Sequence, residues 1–181
     1  MKLNYDNITI SGTVAVGKDT LRNNLLTTLE PLGWKGRSLG AIVREFTNEN
    51  ILPNASLAPD DFHHKIDDKV VEILKNEKQW IIEAWMSGFL AKEIDTTLRI
   101  LLICENKALK IDRVANRDKV TVENAKNYIK HREEDNLKTF QRLYGNYSFW
   151  DPKYYHLVID TYANGQMECV EKALDVLGYK I

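Results

Sequence analysis

Five short apolar runs punctuate the chain, at Asn7–Ser11, Trp34–Leu39, Gln79–Ala84, Leu98–Cys104 and His156–Asp160, and each is followed by a stretch of helical period. Runs of this length bounded by polar residues predict strands. Their alternation with helices predicts a parallel sheet, because parallel neighbours can be joined only by a crossover. Ile81-Ile82 and Ile100-Leu101-Leu102-Ile103 are apolar at consecutive positions, as expected of central strands covered on both faces. Helices are expected at about Lys18–Leu32, Ala41–Asn48, Pro59–Asn76, Lys107–Arg117, Val122–Tyr144 and Gln166–Leu177. Asp60 and Asp61 enrich the first turn of the third, Thr121 opens the fifth as Thr-x-x-Asn, and Gly178 is placed to stop the last. The expected architecture is an α/β sandwich of about five parallel strands with right-handed crossovers.

Composition narrows this picture. A chain of 181 residues without low-complexity tracts or internal repeats is expected to form one domain. The segments Asn50–Asp60, with Pro53 and Pro59, and Gly145–Tyr155, with Pro152, read as irregular connections inside that domain. A net charge of −1 provides no general basic field, so nucleic acid and anionic membranes are not expected partners, and any anion site must be built locally. No apolar run approaches the ~20 residues of a membrane span, the N-terminus lacks the apolar stretch of a secretory signal, and a cytoplasmic location is expected. Cys104 and Cys169 lack metal-type spacing and read as reduced core or half-buried residues.

The first apolar run leads into Gly12-Thr13-Val14-Ala15-Val16-Gly17-Lys18-Asp19-Thr20 and then an amphipathic helix. This is G-x4-G-K-x-T in strand–loop–helix context. Glycines at both ends let the backbone turn its N–H groups around phosphate oxygens, the helix N-terminus adds a favourable dipole, and Lys18 reaches the β and γ phosphates. The hydroxyl usually found directly after the lysine is displaced by one position, so Thr20 rather than Asp19 is the expected phosphate or Mg²⁺ ligand, directly or through a water.

Cations gather elsewhere in the chain as an anionic acceptor would need. Arg113 and Arg117 share a face of one predicted helix, and Arg132 and Arg142 lie ten residues apart on the next. Four guanidinium groups on a helical hairpin read as a lid over phosphates, or else as solvated helix faces. Arg44 follows the second strand, where it grips an acceptor phosphate or pairs with a neighbouring acid such as Glu45. Glu83 ends the third strand and reads as a carboxylate for Mg²⁺, as a base for a hydroxyl acceptor, or as a solvated strand-end acid. Asp68 reads as solvated helix face, while Asp67 stays open between that and a site role. His63 and His64 are adjacent, which does not give a helical zinc pair. The aromatics Phe149, Trp150, Tyr154 and Tyr155 either stack a base or pack under a loop.

The order of these motifs resembles the cytidylate kinase-like family of P-loop nucleoside monophosphate kinases. The resemblance runs through Gly12–Thr20, Ser38-Leu39-Gly40 to Arg44-Glu45, Ile66-Asp67, Ile82-Glu83 with Ser87-Gly88, Arg113 to Arg117, Arg132-Glu133-Glu134, Arg142-Leu143-Tyr144-Gly145 and Leu157–Thr161. It implies the three-layer P-loop nucleotide kinase fold, with acceptor-binding helices at about 40–77 and lid helices at about 107–145. It also implies transfer of the ATP γ-phosphate to CMP or dCMP with Mg²⁺, by a monomer or small homo-oligomer. Residues Gly12 to Thr20 would hold ATP. Lys18, Arg113, Arg117 and Arg132 would be catalytic, and Arg44, Asp67, Glu83, Trp85 and Arg142 would face the acceptor. One departure stands out. The family's third strand commonly continues as Glu-Gly-Arg or Glu-Ser-Arg, whereas this chain reads Glu83-Ala84-Trp85, an indole in place of a phosphate-binding arginine. A kinase for another small acceptor, or an ATP-binding regulatory protein with little transfer activity, are the competing readings.

Overall fold

The strand Asn7–Ser11 (β1) is buried at every position and takes the centre of the sheet. The computed structural model describes residues 3–39 and 55–180. Within them β1 is followed by α1 (Lys18–Leu29), β2 (Lys35–Ser38), α2 (Asp60–Asn76), β3 (Trp80–Glu83), α3 (Ser87–Leu90) and β4 (Thr97–Ile103). Then come α4 (Lys107–Asp118), α5 (Val122–Tyr144), β5 (Leu157–Asp160) and α6 (Gln166–Leu177). The strands pair in the order β2-β3-β1-β4-β5, all parallel, with Ile8 in register with Ile81 on one side and Leu98 on the other. The helix expected at Ala41–Asn48, Arg44 with it, and residues 50–54 of the Asn50–Asp60 connection lie outside the described residues.

Both faces of the sheet are covered, which accounts for the unbroken apolar runs. On one face Ile8, Ile10, Ile100 and Leu102 pack against Leu21, Leu25 and Leu29 of α1 and Val170, Leu174 and Leu177 of α6. On the other, Trp80 and Ile82 pack against Val70, Ile73 and Leu74 of α2. A third group of Phe89, Phe140 and Phe149 sits beneath the 145–155 connection, so its aromatics pack under a loop. Cys104 is half-buried and Cys169 buried, both as free thiols.

Local chemistry adjusts the predicted boundaries. The first helix stops at Leu29 instead of Leu32, because Pro31 lies in a separate 3-10 turn, Glu30–Leu32, that Gly33 closes at φ 89°. Thr121 caps α5 by accepting from the Asn124 amide at 3.2 Å. Gly178 ends α6 at φ 81°. The four-residue α3 was not expected. It is tied to the end of β1, the Ser11 hydroxyl accepting from the Gly88 amide at 2.7 Å.

One buried side chain joins three elements. Asn7 donates to the carbonyls of Leu74 and Glu77 at the end of α2 (3.1 and 2.8 Å) and accepts from the Trp80 amide that opens β3 (2.9 Å). Helix C-termini leave carbonyls without partners, and Asn7 supplies them from the first strand. Asn7→Ala leaves several buried polar groups unpaired and should cost about 2–4 kcal/mol. Chemical denaturation at an unchanged m-value checks this; a loss below about 1 kcal/mol would contradict the assignment.

Candidate active site

The turn from β1 into α1 is built from backbone conformations that few residues adopt. Gly12 stands at φ 148°, Ala15 at φ 58° and Gly17 at φ 91°, directly before the first helical residue. A Cβ on Gly12 would come within 2.5 Å of the Leu102 carbonyl oxygen, so the loop is threaded closely past β4. The Gly12 amide donates to the Trp85 carbonyl at 3.2 Å, which ties the loop to the exit of β3. Left-handed residues in such a turn gather successive N–H groups around one concavity, and the start of α1 adds its dipole.

The loop opens into a cavity of about 690 Å³ at the carboxyl ends of the strands. It is lined by Lys18, Asp19 and Thr20 at the start of α1, Glu83 and Trp85 at the exit of β3, Arg113 and Arg117 of α4, Tyr128 and Arg132 of α5, and Thr161 and Asn164 after β5. Most of the expected residues are thereby brought together, among them Lys18, Asp19, Thr20, Glu83, Trp85, Arg113, Arg117 and Arg132.

Lys18 folds back over its own loop, donating to the Thr13 carbonyl at 2.8 Å, with its ammonium 5.8 Å from the centre of the Trp85 ring. Burial pushes its pKa below the usual lysine range, while Glu83 and Asp19 oppose that shift. Glu83 is pushed up to about 7, chiefly by burial, against the pull of Lys18. Arg22, one helical turn after Lys18, reaches Glu83 at 3.4 Å and Asp19 at 3.3 Å. Its i+4 spacing from Lys18 was the available sequence signal. Asp19, Thr20 and Glu83 thus bring oxygen donors to one cavity, which suits a hard cation shared with phosphates.

The arginines divide by the partners they hold. Arg113 donates to the Ala15 carbonyl (3.0 Å) and to the hydroxyl and carbonyl of Thr161 (3.0 and 3.1 Å), holding the left-handed turn of the loop to the end of β5. Arg117 forms a bidentate pair with Asp118, 2.7 Å for each bond, and this partner raises its pKa. Arg132 donates to the Tyr128 hydroxyl at 3.2 Å. Arg142 instead pairs with Asp60, whose pKa it lowers, and Asp67 accepts from the Tyr144 hydroxyl. Both contacts join α2 to the end of α5, and neither residue lines the cavity. Lys110, which sequence reasoning passed over, bonds both Thr13 of the loop and Glu133 of α5.

Residues 32–163 match the family model described as the cytidylate kinase-like family. The cytidylate kinase of Pyrococcus furiosus is 32% identical over 94% of this chain and 88% of its own length. That of Pyrococcus abyssi is also 32% identical, over 96% of each. Among solved structures, an uncharacterized protein from Eubacterium ventriosum aligns with a TM-score of 0.76 over 97% of this chain and 99% of that one, at 13% identity. A gluconokinase from Sinorhizobium meliloti gives 0.63 at 14% identity over 98% of this chain and 94% of that one. A shikimate kinase from Acinetobacter baumannii gives 0.58 at 19%, over 96% and 91%. At such identities these structures show a shared fold.

Burial holds the Asp67 carboxyl up at about 6, with the Tyr144 hydrogen bond opposing it. An unfolded aspartate titrates near 4, so the folded chain holds more protons in between, and Asp67 lowers stability as pH rises from about 4 to about 6. Asp67→Asn removes this titration. The unfolding free energy of the variant relative to the parent should therefore rise by roughly 1–3 kcal/mol between pH 4 and pH 7. A difference constant across that window in parallel denaturation series would refute the shifted carboxyl.

Proposed function

The chain belongs to the cytidylate kinase-like family, and we propose that it transfers the γ-phosphate of ATP to a cytidine monophosphate, CMP or dCMP, across the cavity between the glycine loop and the arginine-bearing helices. The observation that carries this reading is the convergence of Lys18 and the left-handed loop with Arg117 and Arg132 on one cavity. Phosphoryl transfer requires little covalent chemistry of a protein; it requires alignment and stabilisation of charge on the transferring group.

The backbone amides of the loop and the N-terminus of α1 hold the donor phosphates. Lys18 exchanges the Thr13 carbonyl for a phosphate oxygen, a short movement because its ammonium already lies over the loop. Arg132 and Arg117 line the same cavity and stabilise negative charge as it develops. Arg113 keeps the loop in shape through Ala15 and Thr161. Thr20, Asp19 and Glu83 are the residues that would hold Mg²⁺, which neutralises charge on the phosphate oxygens when bound. Trp85 closes the cavity on the acceptor side with an apolar face, so the acceptor phosphate draws its cations from the rest of the wall.

In an ADP-release assay the chain should phosphorylate CMP or dCMP in preference to UMP and AMP; background rates with all four would overturn the reading. Lys18→Ala should lower kcat by ~10²-fold or more with the fold retained by circular dichroism. Because Glu83 is charged only above about pH 7, kcat/KM should climb as pH passes from 6 to 8, and Glu83→Gln should be slow and free of that rise. An identical profile in the two proteins would exclude Glu83 as its source.

A further inference from the structure

Three consecutive residues at the crest of the glycine loop are each held by the helical hairpin α4–α5. The Thr13 hydroxyl accepts from the Lys110 ammonium at 3.2 Å. Val14 is buried among Val114, Ala125 and Ile129. The Ala15 carbonyl accepts from Arg113 at 3.0 Å. Arg113 ties the loop to Thr161 at the end of β5 and Val114 packs with the apolar side chains of α5, whereas Lys110 joins the loop to α5 through polar bonds, donating to Glu133 at 2.6 Å. Its side chain is only 13% exposed and that of Glu133 32%. Glu133 directly follows Arg132, the α5 residue that lines the cavity.

We infer that Lys110 is a positioning residue for phosphoryl transfer: by bridging Thr13 of the loop to Glu133 of α5, it fixes the height of α5 above the phosphates and so aims Arg132. This rests on the proposed kinase function and adds to it a residue that need not touch either substrate. A lysine suits the task because its ammonium offers three donors on a flexible stem and can serve two acceptors in different directions. An exposed ion pair would contribute little, but this one is largely shielded and ends on the loop whose shape the reaction depends on. Displacing Arg132 by an ångström would weaken its contact with charge that develops only in the transition state, so the loss should appear in kcat.

The test uses the full chain with Lys110→Met, Glu133→Gln, the double variant and Lys110→Arg. Lys110→Met should lower kcat ~10–100-fold with KM for ATP within about 3-fold. Glu133→Gln should act in the same direction, the double variant should be no slower than Lys110→Met alone, and Lys110→Arg should recover most of the rate. An unchanged kcat, a loss confined to KM, or restoration of Lys110→Met by Glu133→Gln would overturn the proposal, the last because Lys110 would then only neutralise Glu133. Hydrogen exchange with an ATP analogue gives a readout that needs no acceptor. Peptides within residues 122–135 should exchange ~10-fold faster in Lys110→Met while β1 and β4 peptides do not change. If the parent chain transfers phosphate to no monophosphate, the functional reading fails and this exchange result alone decides the bridge: equal exchange in the two proteins overturns it. If Lys110→Met does not fold, Glu133→Gln carries both measurements.

Discussion

Between Ser11 and Lys18 the backbone must leave a central strand, turn through left-handed conformations and enter a helix within a few residues. Gly12 has no room for a side chain beside the Leu102 carbonyl, and Ala15 and Gly17 must both turn left-handed. A left-handed alanine is unfavourable by roughly 1–2 kcal/mol and persists only where its surroundings hold it. Here the surroundings come from all parts of the fold. The order β2-β3-β1-β4-β5 sets the end of β1 between the exits of β3 and β4. Trp85 receives the Gly12 amide, Arg113 holds the Ala15 carbonyl, and Val14 is packed under α4 and α5. The cavity is the space that these restraints leave open.

The restraints also explain which features could be read from the sequence. The glycine loop was legible because its requirements are local: two glycines at fixed spacing, a strand before and a helix after. Helices α5 and α6 were legible to the residue, since their apolar period is long and their ends carry Thr121 and Gly178. The helix α3 was not, because four residues show no period and its anchor is a hydroxyl 77 residues earlier in the chain. Arg22 and Lys110 appeared only as charges among others. Their partners Glu83 and Thr13 lie 61 and 97 residues away, a pairing that only the sheet topology creates.

The arginines of α5 show how one helix serves two neighbourhoods. Arg132 and Arg142 lie on nearly the same face, since ten residues make close to three turns, yet they stand ~15 Å apart along the axis. The middle of the helix therefore reaches the cavity, while its end pairs with α2 through Arg142–Asp60 and Tyr144–Asp67. Periodicity reports the face of a helix and says nothing of what stands opposite each turn.

Trp85 occupies the position where the resemblance leads one to expect an arginine, and its surroundings show why an indole fits there. Its carbonyl accepts from both the Gly12 amide and the Trp150 ring, so the backbone at the end of β3 is committed to the loop whatever side chain it carries. Its ring bridges the apolar cluster under α4–α5 and the aromatic group around Phe140 and Phe149. The Lys18 ammonium lies 5.8 Å from that ring. A guanidinium in this place would add like charge to a lysine whose proton affinity burial and Arg132 already lower. The indole instead offers a face that favours the cation by ~0.5–2 kcal/mol. The indole thereby opposes the effect of burial on Lys18 and ties the exit of β3 to the lysine of the glycine loop.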